Sequence, residues 1–300
     1  MKIKKKIYSS GFQNGALTPL DMKQIKYKVL YATICLFTLV MIAIVVIPAL
    51  WMVMTCFKEP AELASVKQSF FPKQFRFEKF AETWSRMKLH KYFINTLIMS
   101  IGAVVADVIV NGLAGYVLSK LKPRGAKAYF AVVTVLLLVN APMIPLYMSF
   151  VKFPIGHFNM LGTYWPIWMM AAANMFNILL FKTSFDSISV SLVEAAKVEG
   201  ASAIRIFMSI IIPMSVPVIT TVAIFTFNGN FGSFFWPYLI VPAEKKRTIG
   251  VMLYMMKSNA VYTLDTKMIA AFICIIPQLL IFIIFQKKII GGINLGGVKG

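Results

Sequence analysis

Charge is what this chain has least of. Only 14% of its 300 residues are charged, against about one quarter in an ordinary soluble domain. Acids are the scarcer sign, with 11 Asp or Glu beside 31 Lys or Arg. Together with 59% hydrophobic residues and a mean hydropathy of +0.75, this excludes a water-soluble core. Cysteine is sparse too. Cys35 and Cys274 fall inside apolar runs and Cys56 near the end of one, with no metal-ligand spacing, so neither a disulfide framework nor a metal site is implied. The two histidines, His90 and His157, lack a neighbouring Asp, Glu or Cys constellation and read as interfacial side chains. No phosphate-binding loop is found: the nearest approach to G-x-x-x-x-G-K-[ST] is 292–297, where Val298 stands in place of Lys. With no nucleophile-base pair and no metal cluster, the chain is not expected to be an enzyme.

What it has in quantity is uninterrupted apolar sequence. A helix rises 1.5 Å per residue, so about 20 apolar residues cross a hydrocarbon core of about 30 Å. Residues 29–57, 128–151, 153–181, 206–243 and 268–286 carry no charge, and 92–119 carries only Asp107. The expectation is an all-α integral membrane protein with six transmembrane helices. The first run is too long for the apolar part of a secretory signal and no small-residue cleavage site follows it, so it is read as a span.

Six spans place both termini on one side. The tail 1–28 carries seven Lys and one Asp, and Lys120, Lys122, Arg124 and Lys127 crowd the connector after the second span. The external segment 58–91 has eight Lys or Arg against four Glu, which dilutes the asymmetry. The two clearest signals still put both termini in the cytoplasm. A net charge of +20 invites a nucleic-acid reading, but that function gathers cations on one face with stacking aromatics. Here the cations flank spans, where topology and anionic headgroups account for them, and no nucleic-acid partner is expected.

The expected organisation is a basic tail (1–28), a transmembrane domain (29–290) and a glycine-rich tail (291–300). The aromatics Phe70, Phe71, Phe75, Phe77, Phe80 and Trp84 suit an amphipathic segment at the outer interface. Asp107 falls near mid-membrane in the second span and is expected to face protein. Asn140, Pro142 and Pro145 predict a kinked third span lining a cavity. In the fourth, about 161–181, Asn174 and Asn177 share a helical face, either as packing contacts or as solute contacts. The fifth run is interrupted by Asn228, Gly229, Asn230, Gly232 and Ser233, and such backbone survives at membrane depth only inside protein or beside a wet cavity. Asn228, Asn230, Ser233 and Trp236 are therefore candidates for a solute path. Lys287 and Lys288 close the sixth span, which contains Pro277.

The connector between the fourth and fifth spans, 186–213, is the most informative stretch. Ser191 and Glu194 have capping-box spacing. Glu194, Ala195 and Ala196 then build a helix with a smooth face, and Gly200 permits the turn that ends it. Ser202 is placed to cap a second helix running to Ile212, where Pro213 stops it. Small residues with one or two protruding acids form a docking surface; the plainer alternative is an interfacial linker.

Glu194, Ala195, Ala196, Gly200, Ala201, Ser202, Phe207, Pro213 and Pro217 resemble the EAA motif of ABC-importer permeases. Glu199 stands where carbohydrate permeases commonly carry Asp. The segment 230–237, the Phe70-Phe71-Pro72 triplet and the terminal Gly297-Val298-Lys299-Gly300 extend the resemblance toward the second permease of maltose-type sugar importers. The resemblance implies a cytoplasmic coupling helix between spans 4 and 5, with Glu194, Ala195, Ala196, Glu199, Gly200, Ala201, Ser202, Phe207 and Pro213 serving ATPase coupling and Glu194 forming a salt bridge to the ATPase. It further implies a heterodimer with a second homologous permease, two copies of a cytoplasmic ATPase that bind ATP and Mg, an extracytoplasmic solute-binding protein, and no cofactor in this chain. The neutral amides and aromatics of the fifth run suit a carbohydrate. The alternatives are a permease of the same build for a non-sugar solute, and an ion-coupled secondary carrier using Asp107.

Overall fold

The computed structural model describes residues 25–67, 69–139, 142–154, 156 and 158–294, and side chains as far as Gln286 except that of Leu138. Most of the basic tail, Asn140, His157, the glycine-rich end from 295 and the side chains of Lys287 and Lys288 lie outside this description. Among the described residues the secondary structure is helical throughout, with no strand.

Among the described residues, thirteen helices build the bundle and its connector. They are α1 (Ile25–Phe57), α2 (Glu78–Arg86), α3 (Leu89–Tyr116), α4 (Ala126–Leu138), α5 (Met143–Val151), α6 (Trp165–Ala172), α7 (Met175–Asp186), α8 (Val190–Val198), α9 (Ala203–Met214), α10 (Val216–Phe231), α11 (Phe235–Ile240), α12 (Ile249–Lys257) and α13 (Leu264–Asn294). Among the described residues three stretches are long and apolar enough to cross a membrane alone: Ile25–Phe57, Leu89–Leu121 (α3 with the π turn that continues it) and Leu264–Gln286. Two more qualify only as bent pairs, α7 with α8 at 76° and α9 with α10 at 80°. Pro48 and Pro277 are accommodated inside α1 and α13.

The central element is α3, packed against α6, α7 and α10. Two small or polar positions set these approaches. A Cβ on Gly115 would stand 2.6 Å from the Phe181 Cβ and 3.0 Å from the Lys182 amide, so only glycine lets α3 and α7 meet. One layer outward, the Trp168 indole N–H donates to the Met99 carbonyl at 3.0 Å and ties α6 to α3. α1, apolar all round, stands at the edge and leans on α13 with most of its surface bare, as a helix solvated by lipid does.

At the opposite end of α3 from the connector, the aromatic segment folds back on the protein. Phe57 meets Phe75, Phe77 and Phe80 at ring distances of 5.1–5.3 Å, and Phe80 reaches Phe272 of α13. Only Glu78–Arg86 is helical, so the expected amphipathic stretch is half turn and half helix. The Lys79 ammonium is bound to the Asp265 carboxylate at 2.6 Å, both side chains nearly enclosed (11% and 6% exposed). Lys79 also donates to the Lys58 carbonyl, and Lys58 stands over the Trp51 ring at 4.1 Å.

Three runs that read as continuous spans are broken. The third is α4 and α5, with Pro142 at the head of the second piece rather than as a kink within one helix. The fourth breaks at Ala173 and Asn174, where the Asn174 side chain accepts from the Asn177 amide and starts α7 as an N-cap. The fifth run bends by 80° at Ser215 between α9 and α10; α10 then continues unbroken through Asn228, Gly229 and Asn230, and the second interruption falls at Gly232 and Ser233 before α11. At the far end, α13 runs through the first two glycines of the expected tail to Asn294.

Candidate functional site

The connector forms a bent helical unit at one end of the bundle. Val193 is the buried anchor of α8, packed in the cluster of Phe185, Ile188, Ile206 and Ile211. Its N-cap is Ser189, without a side-chain cap bond, and the Ser191 hydroxyl pairs with that of Ser189 at 2.6 Å. The expected capping box of Ser191 and Glu194 is therefore absent, because Ser191 already lies inside the helix. The C-terminus follows the expectation. Gly200 has φ +79°, its N–H donates to the Lys197 carbonyl at 3.0 Å, and the Ala201 N–H donates to the Ala196 carbonyl at 2.9 Å. This pair is the Schellman closure. Ser202 then caps α9, accepting from the Arg205 amide at 3.3 Å. Pro213 does not stop this helix, which runs to Met214 and bends at Ser215.

The expected coupling residues divide into two sets. Glu194, Ala195, Glu199, Gly200, Ser202 and Pro213 are exposed, with Ala196 and Ala201 half-buried against the core. Among the described residues neither Glu194 nor Glu199 has an ion-pair partner. Two apolar side chains that sequence reasoning passed over flank them, Val198 at 89% and Ile204 at 73% exposed. Phe207 belongs to the other set: it is buried, its ring 4.9 Å from Tyr116 of α3 and 6.4 Å from Phe185 of α7. The Tyr116 hydroxyl donates to the Ala203 carbonyl at 3.1 Å, and the Lys120 ammonium to the Ile188 carbonyl at 2.6 Å. The unit is thus tied to α3 at the head of α9 and to the π turn that continues α3 at the residue leading into α8.

A second constellation lies at the middle of α3. Asp107 is fully buried and accepts from three neutral donors: the Asn111 amide at 2.5 Å on its own helix, the Asn177 amide at 2.7 Å on α7, and the Thr226 hydroxyl on α10. The expectation that it faces protein holds; Asn177 bonds it and, with Asp107 and Thr226, also lines the cavity that opens there. Beside it opens a cavity of about 340 Å³, bordered by Asn174, Phe176, Phe225, Gly229 and Asn230. Of the four expected solute-path residues, only Asn230 borders this cavity, with its amide N–H donating to the Thr226 carbonyl at 2.8 Å. Asn228 is half-buried, and its side-chain oxygen has no partner among the described residues. Ser233 sits at the break, and Trp236 packs edge-on against Phe150 in a separate cluster. The sequence leaves Asn174 between packing and solute contact and gives no sign of Phe176, because the break that aims them is hidden in an apolar run.

Bundle and connector together define a polytopic membrane protein carrying a rigid helical unit at one end. The family model described as "Binding-protein-dependent transport system inner membrane component" matches residues 111–293, and the chain belongs to that family, a transport component and not a catalytic enzyme. Among curated proteins it is 28% identical to the diacetylchitobiose uptake system permease protein NgcG of Streptomyces coelicolor, over 84% of each chain. It is 29% identical to the galactooligosaccharides transport system permease protein GanQ of Bacillus subtilis, over 93% of this chain and 99% of that one. Among solved structures, the fold matches a chain of a bacterial ABC transporter involved in import of the acidic polysaccharide alginate, with a TM-score of 0.77 at 21% identity, covering 88% of this chain and 98% of that one.

Proposed function

We propose that this chain is one of two permease subunits of an ABC importer for an oligosaccharide, and that α8 with the head of α9 is the coupling helix seated on a cytoplasmic ATPase. The observation that carries the reading is the connector: a closed helical turn with unpaired Glu194 and Glu199, bare Val198 and Ile204, and a buried footing on α3. A surface of that kind, mostly apolar with a free acid at its edge, fits a groove in a partner that supplies a cation. Closure of two ATPase copies around ATP and Mg would push the unit. Because Phe207, Tyr116 and Phe185 interlock, the push would reach α3 and α7 as a rigid displacement rather than as bending of a loop.

The same reading counts six spans: α1, α3 with its π turn, α4 with α5, α6 with α7, α10 with α11, and α13. It places both termini and the connector in the cytoplasm, the aromatic segment outside, where a solute-binding protein would deliver cargo, and a second homologous permease against the face that carries the cavity. The names of the curated relatives support a carbohydrate cargo. Asn230 is the best supported of the expected path residues, joined by Asn174, while Phe176 and Phe225 offer ring faces to a pyranose. Asn228, Ser233 and Trp236 shape the break beyond it. Asp107 is saturated by three neutral donors, which supports a structural role over ion coupling.

Co-purification from native membranes tests the coupling reading. Wild-type chain should bring an ATPase and a second permease with it, and Glu194→Ala should lower ATPase recovery while retaining the permease. Equal ATPase recovery from both would remove Glu194 from the interface, and recovery of neither partner with wild type would overturn the reading.

A further inference from the structure

At the inner ends of α3, α4 and α7 lies a cavity of about 490 Å³ whose lining divides by chemistry. One side is cationic, with Lys122 and Lys127 on the connector and the first turn of α4, and Lys182 on α7. The other is apolar, formed by Leu118, Ala126 and Phe130. The nearest acid, Asp186, is already engaged: it accepts from the Ser119 hydroxyl at 2.7 Å and pairs with Lys182 at 2.6 Å. Lys182 also lies 4.9 Å above the Phe130 ring. Lys122 and Lys127 are exposed and make no ion pair among the described residues, so the cavity carries uncompensated positive charge.

Above the cavity the exposed surface of α4 changes to Tyr129, Val132, Val135 and Leu136. Charge at the membrane surface therefore runs without interruption into an apolar track at membrane depth. A soluble anion has no use for that track, and an uncharged lipid none for the lysines.

We propose that this cavity binds one anionic phospholipid, its phosphate between Lys122 and Lys127 and one acyl chain along Phe130 and the outer face of α4. The phosphate also comes within reach of Lys182, whose partner Asp186 stands at the end of α7 where the chain turns into α8. The lipid thereby buttresses the footing of the connector.

The test is native mass spectrometry of the full-length chain in its assembled complex, equilibrated with vesicles of equal parts phosphatidylglycerol and phosphatidylcholine with matched acyl chains. Wild type should retain one phosphatidylglycerol per chain that Lys122→Gln/Lys127→Gln loses. The variant Lys26→Gln/Lys28→Gln, with the same charge change at the start of α1, should keep it. All four lysines are exposed, so none of these changes disturbs the fold. Equal retention by the cavity variant, or equal loss in the α1 variant, overturns the site. Glycerol 3-phosphate in excess should leave the lipid in place; displacement by it would mean that the cavity reads phosphate alone and overturns the lipid assignment.

Discussion

Replacing Asp107 with alanine removes the one acceptor shared by three helices, and the loss can be worked out bond by bond. Asn111 keeps a partner, because its amide also donates to the Ala171 carbonyl at 2.9 Å. Asn177 and Thr226 each lose an interhelical bond, from α7 and α10 respectively. Interhelical bonds in membranes contribute about 0.6 kcal/mol on average and up to about 1.7 kcal/mol. Two of them therefore amount to about 1–3 kcal/mol. Thr226 can recover part by turning to the carbonyl one turn back, as Thr220 and Thr221 do. Ser100→Ala is the internal control: that hydroxyl lies on the same helix, equally buried, and among the described residues has no partner to lose. Reversible unfolding in detergent or bicelles, followed by tryptophan fluorescence, should place Asp107→Ala about 1–3 kcal/mol below wild type and Ser100→Ala at or above it. Equal stability of the two variants would refute the claim that Asp107 holds the three helices together.

Other elements give separate outcomes. Lys79→Met leaves the Asp265 carboxylate enclosed without its cation, and breaking such a pair costs about 3–5 kcal/mol; Lys79→Met/Asp265→Leu should recover most of it, read by the same unfolding assay. Gly200→Ala should destabilise by about 1–2 kcal/mol from left-handed backbone alone, since its Cβ would meet nothing within 4 Å; Gly200→Asn should do so less, Asn being the residue that best tolerates this conformation. Phe207→Ala should lower stability by about 3–5 kcal/mol, whereas Val198→Ser should leave stability unchanged and reduce ATPase recovery on co-purification.

Much of this was legible in the sequence. The runs 29–57, 92–119 and 268–286 became long helices, two of them accommodating an internal proline, because no capping residue or tight turn interrupts them. The runs 128–151, 153–181 and 206–243 are as apolar, but hydropathy does not register a break whose flanks are equally apolar. The marks were small: Pro142 ahead of α5, Asn174 as an N-cap, and Ser215 followed by Pro217. In the connector, Gly200 and Ser202 were readable because each answers a local backbone need. Ser191 misled because Ser189 stands two residues earlier and the helix starts there. The partners of Asp107 could not be read, since Asn177 and Thr226 are 70 and 119 residues away; only Asn111, one turn on, was within local reach.

On the proposed function, this chain moves a sugar only when an ATPase drives its connector. The direct measurement is uptake of a labelled oligosaccharide into proteoliposomes holding the purified complex, with the solute-binding protein on the side opposite the nucleotide. Accumulation should require ATP and be lost when the coupling surface is altered by Glu194→Arg. Uptake by this chain alone without ATP, driven by an ion gradient and abolished by Asp107→Asn, would contradict it.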